Sequence, residues 1–274
     1  VAATIYAIIN QKGGVGKTTT TINLARVLCA AGKGVLAIDA DPQGNLSSII
    51  AAEAVEKDQL TFADVLLGES IADVEIDGIW DGLSVVPGNR NTDKAIQQLQ
   101  TEHGREYRLK EALGEAAERF DVILIDCAPS LELHTINALA AAHRAIVVCE
   151  PGKFSLDGLG ELQQSFDSVA RYYNPLLTVA GVIVNGNRST ITHRSWTEDL
   201  IEKSPWRLFA PYVPFWSVIQ DAQEAGLGLD EWPDDKGRQA YEMYTKHLSE
   251  LDEIDARPHL EKMFPKHDYS TLEV

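Results

Sequence analysis

Asn10-Gln11-Lys12-Gly13-Gly14-Val15-Gly16-Lys17-Thr18-Thr19-Thr20 is the stretch that decides how this chain folds. An apolar β-type run, Ile5 to Ile9, precedes it, and a helical pattern of apolar residues (Ile22, Leu24, Ala25, Val27, Leu28, Ala31) follows, so the glycines fall on a strand-to-helix turn. That context is what a phosphate-holding loop requires. Glycines let successive backbone N–H groups converge on one anion, and the first turn of the following helix adds unpaired donors and a positive dipole end. On this reading Gly13, Gly14, Val15, Gly16 and Thr19 line a nucleotide. Lys17 reaches the β- and γ-phosphates, and the Thr18 hydroxyl is a ligand for Mg²⁺. The plain alternative is a glycine-rich turn with two solvated lysines.

Working outward, Gly32-Lys33-Gly34 stops the helix and Val35-Leu36-Ala37-Ile38 reads as a second buried strand. It ends in Asp39-Ala40-Asp41-Pro42-Gln43-Gly44-Asn45. Further on, Phe120-Asp121-Val122-Ile123-Leu124-Ile125-Asp126 is another apolar strand closing on a carboxylate. Carboxylates at the carboxyl ends of parallel strands beside a phosphate loop sit where open α/β sheets bind ligands, and there they hold Mg²⁺ through water or orient an attacking water. An aspartate capping a helix after a strand-end turn is the competing explanation. Strands at 145–149 and 179–185, a helix from Ser155 to about Tyr172, a short capped helix at 61–68, a strand at 83–86 and helical periodicity at 92–101 and 106–119 complete the pattern. The expected fold is α/β, a doubly wound, mostly parallel sheet with helices on both faces.

Composition limits the function classes. A chain of 274 residues, 45% hydrophobic and 24% charged, suffices for one large domain with a substantial core. No apolar run approaches the ~20 residues that span a bilayer, and no basic-then-apolar start reads as a secretory signal, so a cytoplasmic protein is expected. Cys29, Cys127 and Cys149 lack metal-type spacing and read as reduced, buried thiols. The formal charge of -17 disfavours nonspecific attraction to a polyanion unless positive charge gathers on one face. Residues 221–274 carry 14 acidic and 6 basic side chains.

The general phosphate-loop pattern G-x-x-x-x-G-K-[ST] would place its first glycine at Gln11; this loop instead has a second lysine, Lys12, before the paired glycines. The Lys-Gly-Gly-Val-Gly-Lys-Thr form resembles the deviant Walker A motif of the ParA/MinD group of P-loop NTPases. Asp39 to Asn45 resembles the switch I segment of ParA proteins, 120–126 has the Walker B form, and Cys127-Ala128-Pro129-Ser130-Leu131 with Thr135-Ile136-Asn137-Ala138-Leu139 resembles switch II. The resemblance to ParA-type partition ATPases covers most of residues 3–230. It implies a slow ATPase using ATP and Mg²⁺, with Thr18, Asp39 and Asp126 around the metal and Asp41 as the aspartate associated with hydrolysis. Lys12 would cross a homodimer interface to touch the other protomer's nucleotide, while Asn185 and the Pro214 segment would hold adenine; a turn asparagine before Gly186 is the alternative for Asn185. It further implies nonspecific DNA of the nucleoid and a ParB-like activator as partners.

Residues 187–220 depart from that pattern. Arg188, Arg194, Lys203 and Arg207 are interleaved with Trp196 and Trp206, but Val213-Pro214-Phe215-Trp216-Ser217-Val218-Ile219 is apolar where the family carries DNA-contacting arginines. Arg188, Arg194 and Arg207 are the DNA-contact candidates, with packing as the other use for the tryptophans. A helix from about Lys236 to Ile254 ends the ATPase domain, taken as 1–250, and 251–274 reads as a polar tail without the apolar face and basic flanks of a membrane anchor. A MinD-like membrane-cycling ATPase is therefore the alternative function, and no membrane is expected as a partner.

Overall fold

In the computed structural model, which describes residues 2–153 and 155–256, the order is β1 (Thr4–Ile9), α1 (Lys17–Ala30), β2 (Val35–Asp39), α2 (Ser47–Ile50), α3 (Phe62–Leu67), α4 (Ile71–Val74), β3 (Ile76–Asp77), β4 (Leu83–Val86) and α5 (Asn91–Leu99). A 3₁₀ turn (Arg105–Tyr107) leads to α6 (Arg108–Ala116), β5 (Val122–Asp126), α7 (Leu133–Ala141), β6 (Arg144–Cys149), α8 (Ser155–Tyr172), β7 (Thr178–Val184), α9 (Ile191–Lys203), α10 (Ser217–Glu224) and α11 (Asp235–Ala256). The strands form one sheet in the order β3-β4-β2-β5-β1-β6-β7. Every pairing is parallel except that of the two-residue β3 with β4.

The continuous apolar strands follow from a sheet covered on both faces. Alternation along β1 sends Ile5, Ala7 and Ile9 to one side, where they join Leu36, Ile38, Ile123, Ile125 and the inner residues of α3, α6, α7 and α8. Tyr6 and Ile8 point the other way, into a second cluster with Ala37, Leu124, Val148 and residues of α1, α10 and α11. The doubly wound sheet read from the sequence is thus the one observed. The three cysteines are free and buried.

The region after β7 is more ordered than its composition suggests. Leu208 bridges Val182 and Pro214 bridges Asn187, both in parallel sense, so 207–215 runs alongside β7. Thr190 caps α9, accepting from the His193 N–H at 3.2 Å. Trp206 packs edge-on against Phe166 at 6.4 Å between centroids, a packing role. Helix α11 runs through the expected 250/251 boundary to Ala256, and the tail beyond it lies outside the described residues. Among the described residues no helix is long and apolar enough to cross a membrane.

Candidate nucleotide site

Strand order puts the decisive residues together. β1 lies between β5 and β6, so the loop leaving it emerges at the sheet's carboxyl edge, and β2 flanks β5 in a register that sets Asp39 directly opposite Asp126. The loop's glycines answer two needs. Gly14 (φ +75°) and Gly16 (φ +92°) take left-handed backbone. A Cβ on Gly13 or Gly14 would meet nothing within 4 Å, so that side of the loop is an open cradle. At Gly16 a Cβ would overlap the Asn185 amide nitrogen.

Lys17 turns inward. It is 7% exposed, and its Nζ donates to the Lys12 carbonyl across the loop at 3.4 Å. Burial lowers its pKa, opposed by the nearby Asp126, Cys127 and Asp41. Lys12 is exposed. The Thr18 hydroxyl donates to Asp126 Oδ2 at 2.7 Å, and Thr21 Oγ1 lies 3.4 Å from Oδ1. Asp126 is pushed up to about 8, chiefly by burial and then by Asp39. Asp39 is pushed up to about 6 by burial, although hydrogen bonds from Ser47 pull the other way.

Those bonds come from residues the sequence reading did not single out. Ser47 donates to Asp39 Oδ2 through both its N–H (2.8 Å) and its hydroxyl (2.6 Å), and its Oγ accepts from the Gly88 N–H at 2.9 Å. Asp39 Oδ1 accepts from the Asp41 N–H at 3.3 Å. Asp39 therefore ties the segment 40–47 to the end of β4. A Cβ at Gly88 would lie 2.5 Å from the Asp39 carbonyl oxygen, which explains the glycine there. No local spacing signals these contacts, because 41 residues separate Ser47 from Gly88. Asp41 is half-buried, and its Oδ1 accepts from the Gln43 N–H at 2.9 Å.

Two buried, adjacent carboxylates and a hydroxyl are hard oxygen donors beside an open N–H cradle, a set that suits Mg²⁺ with a bound polyphosphate. Among the described residues no three His, Cys, Asp or Glu side chains gather to hold a metal alone, so an ion here needs the Thr18 hydroxyl and ligand oxygens.

The other candidates lie nearby or farther off. Asn185 is buried, its Nδ2 lies 3.4 Å from the Val15 carbonyl and its N–H donates to Cys149, so its amide braces the loop. Pro214 sits beside Asn187 at the end of β7. Arg188 stacks on Phe215, 3.9 Å from the ring centroid, and Arg194 lies in the first turn of α9. Arg207 is paired with Glu250 of α11 and Lys203 with Asp199. Arg207 lies beside the middle of β7, where its carbonyl accepts from the Val182 N–H, whereas Arg188 follows the end of that strand.

Comparison with known proteins gives the same picture. A family model described as "AAA domain" matches residues 3–179. The chromosome partitioning protein ParA of Caulobacter vibrioides is 40% identical over 183 residues, covering 66% of this chain and 68% of that protein. An uncharacterized protein of Mycobacterium tuberculosis is 36% identical over 250 residues, 90% of this chain and 78% of the other. The crystal structure of cobyrinic acid a,c-diamide synthase from Mycobacterium smegmatis with a bound ATP analog and magnesium is 31% identical, with a TM-score of 0.74 over 82% of this chain and 93% of that one. With the phosphate loop, the paired carboxylates and the strand order already in place, these likenesses make the chain a member of the ParA-type family of deviant Walker A, P-loop partition ATPases.

Proposed function

We propose that this protein is an ATP-hydrolysing switch that stores its nucleotide state as a homodimer and uses it to control binding to a second surface. ATP sits on Gly13 to Thr18, with Lys17 drawn to its β- and γ-phosphates. Thr18, Asp126 and Asp39 would hold Mg²⁺, which would neutralise charge at the phosphates. Lys12 of each protomer reaches the nucleotide of the other when the two close face to face. Asp41 orients the attacking water. Once the γ-phosphate leaves, the segments after Asp39 and Asp126 lose their tether and relax.

The observation that carries this reading is the division between the two lysines, one buried in its own loop and the other extending from it. Likeness to a chromosome partitioning ParA supports nonspecific nucleoid DNA as the second surface and a ParB-like protein as the activator of hydrolysis. Arg188 and Arg194 are the DNA contacts this chain offers; Arg207 would first have to leave Glu250.

The test is DNA retention with ATP, ADP and no nucleotide across a salt series. ATP-gated retention that weakens steeply with salt is expected, because released counterions drive phosphate contacts. Retention blind to nucleotide and salt removes DNA as the target. Turnover by the protein alone is expected below about 1 s⁻¹, the low end of ordinary enzyme rates.

A further inference from the structure

Lys12 is exposed, yet its backbone N–H and carbonyl are both held, and the side chain of the preceding residue is anchored as well. The Asn10 side chain spans two strand ends: its Nδ2 donates to the Val148 carbonyl at 2.7 Å and its Oδ1 accepts from the Lys12 N–H at 2.9 Å. On the other side the Lys12 carbonyl accepts from Lys17 Nζ. Between them, Gln11 Nε2 donates to Ser165 Oγ at 3.1 Å, out on α8. The Ser165 hydroxyl in turn donates to the Glu161 carbonyl at 3.0 Å, so its oxygen is free to accept and the donor assignment is consistent.

We infer that Asn10, Gln11 and Ser165 form a bracket that fixes the direction in which Lys12 leaves the protomer, and that Ser165 is a positioning residue for the cation presented to the other subunit. The inference rests on the dimer reading of Lys12. A lysine side chain loses rotamer entropy when it is fixed. A backbone already held in place limits the additional ordering that docking requires, which is how preorganisation strengthens association. Gln11 thereby gains a role at the position where the general loop pattern has glycine: its side chain reaches a helix 154 residues away. Ser165 belongs to α8, on the side of the sheet where that helix's Leu162 and Phe166 join the core, and it is not itself part of the phosphate cradle.

The experiment compares wild type, Lys12→Ala, Ser165→Ala and Ser165→Thr in the full chain with Mg²⁺ and ATP. It reads ATP affinity, the dimer dissociation constant at saturating ATP, and thermal midpoint. Lys12→Ala is expected to weaken dimerisation by tenfold or more. Ser165→Ala is expected to weaken it about fivefold, because Lys12 must then be ordered on docking, with ATP affinity unchanged and the midpoint lowered by no more than the few degrees that one intraprotomer hydrogen bond accounts for. Ser165→Thr, which retains the hydroxyl, is expected to dimerise like wild type. If Lys12→Ala dimerises normally, the dimer reading falls and the bracket with it. If Lys12→Ala is defective but Ser165→Ala is not, the bracket alone is overturned. Equal defects in Ser165→Thr and Ser165→Ala also overturn it, as does a lowered midpoint or ATP affinity that accounts for the whole loss.

Discussion

At the scale of single residues, the site is set by small volumes and by charges that cannot leave. Gly16 has a left-handed backbone and faces the Asn185 amide, so a methyl group is penalised twice. Gly16→Ala is expected to cost about 1–3 kcal/mol from the backbone alone and to lower ATP affinity at least tenfold. Adding Asn185→Ala would relieve the overlap but not the backbone strain, so the double variant should recover only part of the affinity, as titration with a fluorescent ATP analogue would show. Asp41 stands apart from the buried pair. Its carboxylate is neither bonded to Thr18 nor clamped by Ser47, and accepts only from the Gln43 N–H among the hydrogen bonds described, as the proposed role of orienting water requires. Asp41→Ala should therefore lose hydrolysis while retaining ATP-dependent dimers. Phosphate release and sedimentation measured on the same sample check this, and loss of both activities would assign Asp41 to binding instead.

Elements show where sequence reasoning carried and where it stopped. Helix α3 was legible because its signals are local: Thr61 and Asp64 form a capping box and Gly68 ends the helix at φ +116°. Thr61→Ala should cost about 1 kcal/mol, a drop of roughly 2–4 °C in midpoint for a chain of this size, measurable by calorimetry. The phosphate loop, β2, β5 and α8 were legible for the same reason, each being a continuous pattern with a punctuating glycine or carboxylate. β3 is two residues long and α2 and α4 four each, too short to show a period. The clamp on Asp39 joins Ser47 to Gly88 and the brace on Val15 comes from Asn185, so both depend on strand order, which no local pattern encodes.

Helix α11 carries a titratable group with a determinable sign. His247 is fully buried; its Nε2 lies 2.7 Å from the Pro211 carbonyl, so that nitrogen carries a proton and donates, while its buried Nδ1 has no hydrogen-bond partner among the described residues. Burial lowers its pKa below the ordinary 6.5, against the Pro211 carbonyl and Glu250. The unfolded chain therefore binds the proton first. This group's contribution to stability is complete above pH 6.5 and is lost as pH falls from there toward its folded pKa. Asp39 and Asp126, with raised values, act in the opposite sense: their contribution is present at low pH and is lost as pH rises through about 6 and 8. The raw stability curve mixes the two. The difference between wild type and His247→Gln, which keeps a donor for Pro211, isolates the histidine and should grow in slope only below pH 6.5 in urea titrations. A flat difference would show that His247 does not titrate within that range.

For the whole molecule, net charge decides which interactions salt strengthens. Each protomer carries -17, and bound ATP adds to it, so closing two protomers brings like charges together. Exposed charges interact over a Debye length of ~10 Å at 0.1 M salt, and only ~3 Å at 1 M. In the proposed dimer, the attraction between Lys12 and the opposite nucleotide would act at short range inside a closed interface and be screened far less. Many weak surface repulsions thus respond to salt more than one buried attraction does, and the ATP-dependent dimer should tighten as monovalent salt rises from about 0.05 to 0.3 M. The proposed DNA binding should respond in the opposite sense, because each phosphate contact releases counterions. Measuring dimer dissociation constant and DNA retention on one preparation across that range should give slopes of opposite sign. If both weaken together, the attraction that closes the dimer is itself exposed to solvent, and Lys12 cannot be the buried contact proposed for it.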